Sequence, residues 1–159
     1  MRRAWRALIV SGLRAAVVIS LMAASVVVLA GRALSAQTGK TIWDGVYTEE
    51  QATRGEAGYQ KECASCHQGD LQGDGFAPAL IADAFTLRWQ DSSVGDLLTV
   101  VKLTMPQDRP STLGGEAYAN IVAYLLKTNR YPAGPEELSQ EPADLKQITF
   151  KGRGPAKPD

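Results

Sequence analysis

The sequence predicts an all-α domain. Three segments place apolar residues at helical spacing behind residues that cap helices, and no segment alternates polar and apolar residues over a useful strand length. The chain has 159 residues, enough for one ordinary domain with additional segments. We therefore expect three main helices, preceded by a leader and followed by a tail.

The N-terminal segment, residues 1–36, is typical of a secretory signal peptide. Four arginines precede the uncharged run Ala15–Gly31, and small residues follow it. Cleavage is expected after Ala36, although Leu34 occupies a position where a small residue is preferred. An uncleaved membrane anchor is the alternative, because about 17–25 apolar residues span a bilayer. In either case we expect the rest of the chain in the periplasm.

Without this leader the chain is acidic. Five of the 17 Lys and Arg residues lie within residues 1–36 and none of the 17 Asp and Glu residues does, so the remainder has 12 basic and 17 acidic residues and a net charge of −5. No basic stripe remains, which argues against a nucleic-acid partner. The acidic surface is either simply solvated or steers the protein toward a basic partner surface.

The first helix is expected to begin at Thr48, after an irregular lead-in over residues 37–47. Thr48 and Gln51 fit a capping box. Gly55 lies inside the helix, where glycine costs about 1 kcal/mol relative to alanine. It indicates close approach of another helix, or else a tolerated glycine. Residues 68–79 then form a loop rich in Gly and Asp, followed by a short helical turn.

The second helix is marked by Ser93 and Asp96, which fit a capping arrangement. Its apolar stripe comprises Val94, Leu97, Leu98 and Val101. The helix must end near Thr104, because Pro106 disfavours helical backbone at the residue before it.

The third helix is expected from Glu116 to about Lys127, ending at Asn129 and Pro132. Its apolar stripe comprises Tyr118, Ile121, Val122 and Leu125. Residues 132–159 are rich in proline and are expected to form an extended tail, draped over the domain or partly disordered. Leu145, Ile148 and Phe150 are the residues that could anchor this tail.

Cys63, Cys66 and His67 form a C-x-x-C-H motif that contains both cysteines and the only histidine of the chain. A structural zinc site needs about four protein ligands, which one chain cannot supply from these residues. Thioredoxin-like chemistry expects a βαβ pattern that is absent here. A plain disulfide leaves His67 without a role. Covalent haem attachment in an exported chain uses all three residues.

The sixth iron ligand follows by elimination. No second histidine exists, and the methionines are Met1, Met22 and Met105, of which only Met105 lies outside the leader. Pro106 holds Met105 in extended backbone. Lysine ligation, for example by Lys102, is a minor alternative, and a methionine can also be core filler. The sequence favours His67 and Met105 as the axial pair.

With these motifs, residues 48–131 resemble the monohaem class I c-type cytochromes. The resemblance rests on the C-x-x-C-H helix, "APAL", "LTMP" and the last helix "YANIVAYLL". In the sequence and order of these motifs, the chain is similar to small cytochromes associated with quinoprotein (PQQ) dehydrogenases. The resemblance implies the class I cytochrome c fold, with three main helices around one covalently bound haem c and the first and last helices crossing.

The resemblance also implies two further site residues. The carbonyl of Pro78 would accept a hydrogen bond from the His67 ring, and Trp89 would contact a haem propionate, although packing alone would equally explain Trp89. Apolar side chains are expected to wall the haem, among them Phe76, Leu80, Leu98 and Val101.

A haem with both axial positions filled favours a one-electron carrier, not an enzyme. Its expected partners are redox proteins that meet the haem edge near Cys63 and Cys66, and the chain is a candidate subunit of a dehydrogenase or oxidase complex. A membrane is a partner only if the leader stays uncleaved. If Met105 is labile, the alternative is a gas sensor or a peroxidase-like enzyme. Its distal groups would then be Gln107, Asp108 and Arg109.

Overall fold

The computed structural model describes residues 39–151. The expected leader, residues 1–36, and the last part of the expected tail lie outside these described residues. Over the described range the chain is helical and contains isolated bridges instead of strands, which confirms the all-α prediction. No helix of this range combines the length and apolar character that a membrane crossing requires.

The elements begin with a 3-10 helix, Ile42–Asp44, in the lead-in that the sequence predicted to be irregular. Thr41 and Asp44 cap it through a reciprocal pair of hydrogen bonds, a local signal that the prediction overlooked. The α-helices are α1, Glu49–Glu62; α2, Ala64–His67; α3, Ala82–Trp89; α4, Val94–Thr104; α5, Gly115–Thr128; and α6, Pro142–Leu145.

The two longest helices, α1 and α5, form the main helix pair, and Gly55 allows their contact. A Cβ atom built on Gly55 would lie 1.8 Å from the backbone oxygen of Asn120, so only glycine lets the two backbones meet. Further along the same contact, the rings of Tyr59 and Tyr124 lie 5.3 Å apart. The close approach and the crossing of the first and last main helices are confirmed.

The N-terminus of α1 is capped differently from the prediction. The Thr48 side chain accepts a hydrogen bond from the Gln51 amide at 3.1 Å, as expected. The Gln51 side chain does not complete the capping box. It pairs instead with the backbone of Leu138, donating to the carbonyl at 2.9 Å and accepting from the amide at 2.7 Å. This buried pairing ties α1 to the chain's C-terminal segment.

Residues 131–150 lie against the helices and contribute to the core. Leu145, Ile148 and Phe150 are buried. The Val94 amide, at the start of α4, donates to the Ile148 carbonyl at 2.8 Å, and Thr149 forms bridges to Thr41 and Ser93. The segment predicted as a tail is therefore, up to residue 150, part of the folded unit.

Helix α4 matches its prediction at both ends. Ser93 and Asp96 form a complete capping box, with the Asp96 carboxylate accepting from the Ser93 amide at 2.9 Å and from its hydroxyl at 2.7 Å. The helix ends at Thr104, and the next residue, Met105, has extended backbone, with φ −126° and ψ 150°. This geometry directs the chain out of the helix at the predicted ligand.

The Asp96 cap makes part of the stability depend on pH. The hydrogen bonds from Ser93 hold the pKa of the Asp96 carboxyl below its usual 3.8. A lowered folded-state pKa adds stability that is present above the unfolded value and is lost as the pH falls through the folded value. We expect Asp96→Ala to lower the free energy of unfolding by about 1 kcal/mol at neutral pH, as losing a helix cap does.

The difference between Asp96→Ala and wild type should shrink as the pH falls below 3.8. Urea unfolding of the haem-containing protein at several pH values measures it. Asp91→Ala, which removes an equal charge just before the helix, is the control for the loss of charge without the loss of the cap. A pH-independent difference for Asp96→Ala would contradict the assignment.

Candidate haem site

The C-x-x-C-H motif occupies one helical turn at the end of α1. Cys63 closes α1, its amide donating to the Tyr59 carbonyl at 2.8 Å, and its own carbonyl accepts from the His67 amide at 3.0 Å. Both cysteines are free thiols, with Cys63 half-buried and Cys66 exposed. Burial raises the pKa of the Cys63 thiol to about 11, so this thiol is uncharged at neutral pH.

The His67 ring is buried, with only 7% of the residue exposed, and it is held in one orientation. Its Nδ1 lies 2.9 Å from the carbonyl oxygen of Pro78, the contact that the resemblance implied. A carbonyl only accepts, so Nδ1 carries the proton and Nε2 keeps the lone pair that a metal needs.

The loop that carries Pro78 is held in shape by hydrogen bonds between its own residues. The Asp74 carboxylate accepts from the amides of Phe76 and Ala77 at 2.9 and 2.8 Å, and these bonds hold the pKa of that carboxyl below its usual range. Gly73 has a φ of +71°, and a Cβ atom there would lie 2.3 Å from the Ala77 carbonyl oxygen. The loop therefore brings Pro78 back toward the histidine that precedes it.

Asn129 fastens the far end of this loop to α5, a role that the sequence reading missed. Its side-chain nitrogen donates to the Leu80 carbonyl at 2.9 Å, and its oxygen accepts from the Ala82 amide at 3.0 Å. Asn129 was predicted only as the end of the helix. The partners lie 49 and 47 positions away in sequence, so no local pattern signals them.

Met105 is half-buried and follows α4 directly. Its backbone carbonyl accepts a hydrogen bond of 2.8 Å from the hydroxyl of Tyr118, a residue of α5 that the sequence assigned only to an apolar stripe. The structure thus ties both predicted ligand segments to one helix, the His67 side through Asn129 and the Met105 side through Tyr118.

An ion pair joins the cysteine motif to the segment after Met105. Arg109 Nη2 lies 2.6 Å from Glu62 Oε2, and the Glu62 side chain is only 11% exposed. The hydrogen bond from Arg109 lowers the pKa of Glu62, and the same contact raises the pKa of Arg109. Because Glu62 precedes Cys63, this contact brings the Met105 loop to the end of α1. It also engages Arg109, one of the three groups considered for distal acid–base chemistry.

The expected apolar wall is only partly as predicted. Leu98 is fully covered by other protein atoms, with 0% exposed, so it belongs to the core and cannot face an open haem site. Phe76 is fully exposed, whereas Leu80 and Val101 are half-buried at the edge of the core. Leu103, on the last turn before Met105, is also exposed.

Trp89 is buried, and its nearest aromatic neighbour is Phe150 of the C-terminal segment, at a centroid distance of 6.5 Å. The Arg88 guanidinium lies 5.5 Å from its ring centroid. These contacts provide the packing explanation for Trp89, and its contact with a propionate stays a prediction.

The residues present fit a covalently held haem. Two unpaired thiols stand one helical turn apart, the next residue is a buried histidine oriented through Nδ1, and a thioether side chain lies on a loop tied to the same helix end. Exposed or half-exposed apolar side chains lie on the loop after His67 and on α4 before Met105. A haem ring, which is large and apolar, needs such side chains to pack against.

The fold and this site together define a haem c protein. Residues 50–125 match the family described as "Cytochrome C oxidase, cbb3-type, subunit III". Comparison with curated proteins and with solved structures gave no significant match. The matched residues form a monohaem c-type cytochrome domain with the all-α class I fold. Such a domain implies an electron carrier with covalently bound haem c.

Proposed function

We propose that this chain is an exported one-electron carrier whose haem c is attached through Cys63 and Cys66 and ligated by His67 and Met105. The observation that carries the proposal is the 2.9 Å contact between His67 Nδ1 and the Pro78 carbonyl. An imidazole fixed in this way presents Nε2 in a defined direction, and the hydrogen bond raises its basicity as a ligand.

Met105 supplies the second axial ligand in this proposal. It is the only methionine among residues 39–151, and extended backbone places it beyond the end of α4. A methionine and histidine pair raises the reduction potential of a haem that gains and loses one electron. With both axial positions taken by the protein, no coordination position remains for a substrate, which favours a carrier over an enzyme.

Location and partners follow from several separate features. The leader over residues 1–36 supports export to the periplasm, with release by cleavage or retention as an anchor. The resemblance to cytochromes associated with quinoprotein dehydrogenases favours such an enzyme as electron donor. The matched family description favours an oxidase complex as acceptor or as the assembly that contains this chain. Exposed Cys66 marks the edge where partners would bind through small, transient contacts.

Absorption spectra of the exported protein test the proposal. We expect the sharp reduced band of haem c, the weak methionine-to-iron band in the oxidised form, and no rapid spectral change when carbon monoxide is added to the reduced form. Each of these follows from a low-spin iron with both axial ligands supplied by the protein.

A high-spin spectrum that responds to carbon monoxide would contradict the carrier and would support the open-iron alternative, a gas sensor or a peroxidase-like enzyme. Turnover of peroxide by the native protein separates those two. Brisk turnover would identify the enzyme, and gas binding without turnover would identify the sensor.

A further inference from the structure

One buried hydroxyl joins the two ends of the loop that begins at Met105. The Tyr118 hydroxyl donates to the Met105 carbonyl at 2.8 Å and accepts from the Leu113 amide at 3.4 Å. Tyr118 is fully buried, so water does not compete for these hydrogen bonds. The loop from Met105 to Leu113 is therefore closed on a single group of α5.

The same loop has a bond within itself and a bond to α4. The Arg109 amide donates to the Pro106 carbonyl at 3.0 Å, and the Ser111 amide donates to the carbonyl of Lys102 in α4 at 3.0 Å. The position of the loop relative to the rest of the protein depends on its external ties. These include the Ser111 bond to α4, the Tyr118 hydroxyl and the ion pair of Arg109 with Glu62.

Tyr118 connects this loop to the helix that precedes the thiols. It stands on α5, which packs against α1 at Gly55. Helix α1 ends at Glu62, and Cys63 caps it. One path from the cysteine motif to the Met105 backbone thus runs through two closely packed helices and the hydrogen bond of Tyr118.

We propose that Tyr118 is a positioning residue for Met105, because its hydroxyl holds the Met105 backbone and thereby slows release of the thioether from the iron. The inference rests on the proposed function, since it requires Met105 to be a ligand. It goes further by assigning to Tyr118 control over how readily an external ligand reaches the iron.

The test is the rate at which carbon monoxide binds to the reduced haem-containing protein, because binding requires Met105 to leave first. Tyr118→Phe keeps the ring and removes only the hydroxyl. We expect the rate to rise about fivefold, the equivalent of one hydrogen bond contributing about 1 kcal/mol. The methionine-to-iron band should remain visible in the oxidised variant, because the ligand itself is unchanged.

Tyr47→Phe is the matched control. Tyr47 is also buried, and its hydroxyl donates to the Tyr131 carbonyl at 2.6 Å, so the variant loses the same kind of bond outside the Met105 loop. We expect a similar loss of global stability in urea unfolding but an unchanged carbon monoxide rate. Equal rates for Tyr118→Phe and wild type, or equal increases in both variants, would overturn the positioning role. A wild-type protein without the methionine band would instead overturn the proposed function.

Discussion

Replacing Met105 with alanine is expected to leave the haem covalently attached and to change the iron from low-spin to high-spin. The cysteines that attach the haem, Cys63 and Cys66, belong to a different segment, so attachment does not depend on the Met105 side chain. Loss of the sixth ligand should open the iron to carbon monoxide. The reduction potential should fall by a sizeable part of the about 0.8 V that axial ligands span.

Two variants make this result specific to ligation. Thr104→Ala changes the exposed residue just before Met105 and should leave the spectrum unchanged. Met105→His should restore a six-coordinate, low-spin iron that does not bind carbon monoxide readily, with a potential below that of wild type. If Met105→Ala keeps the wild-type spectrum, Met105 is not a ligand, and a spectral change in Lys102→Ala would then identify the lysine alternative.

The parts of the fold that the sequence predicted have short-range causes. The capping box of α4 involves residues three positions apart, and the end of that helix follows from Pro106. Gly55 is informative because glycine inside a helix costs stability. Its presence there therefore suggests that another backbone needs the space. The C-x-x-C-H motif occupies consecutive residues, so its chemistry is visible without any knowledge of the fold.

The features that the sequence did not predict depend on partners distant in the chain. Gln51 fits a capping box locally, yet its side chain pairs with Leu138, 87 positions away, because a buried pairing with two backbone groups satisfies both of them. Composition predicted an extended tail after Tyr131, draped over the domain or partly disordered. Backbone hydrogen bonds attach this segment to the lead-in and to the start of α4, and the Gln51 side chain attaches it to α1. Leu98 was predicted to line the haem from its sequence position alone. Its complete burial shows instead that it belongs to the core.

The site is better described as two loops attached to one helix than as a list of ligands. Asn129 at the C-terminal end of α5 holds the loop that carries Pro78, and Tyr118 in the first turns of α5 holds the loop that carries Met105. Since α5 packs on α1, the same helix pair positions the thiols. The contact between α1 and α5 should therefore govern both stability and the integrity of the site.

Replacing Gly55 with alanine tests that dependence and is expected to have the largest effect on folding. The added Cβ would lie 1.8 Å from the Asn120 backbone oxygen and 3.0 Å from Tyr124 Cβ. A backbone atom cannot rotate away, so the helices must separate. We expect a loss of about 3 kcal/mol in the free energy of unfolding, the upper end for overpacking. This is a large share of the roughly 5–15 kcal/mol that stabilises a typical domain. Urea unfolding of purified haem-containing protein measures the loss.

Gly58→Ala, on the same helix, is the matched control. Its Cβ would meet Ile121 Cγ1 at 3.3 Å, a side-chain atom that can shift by a few tenths of an ångström. The cost of that shift is offset by helix propensity, which favours alanine over glycine by about 1 kcal/mol. We therefore expect Gly58→Ala to unfold close to wild type. Because both variants add one methyl group to one helix, the difference between them isolates the backbone contact of Gly55 with Asn120. Equal stability of the two would show that the helix contact is not as close as described and would remove α5 as the common support of both ligand loops.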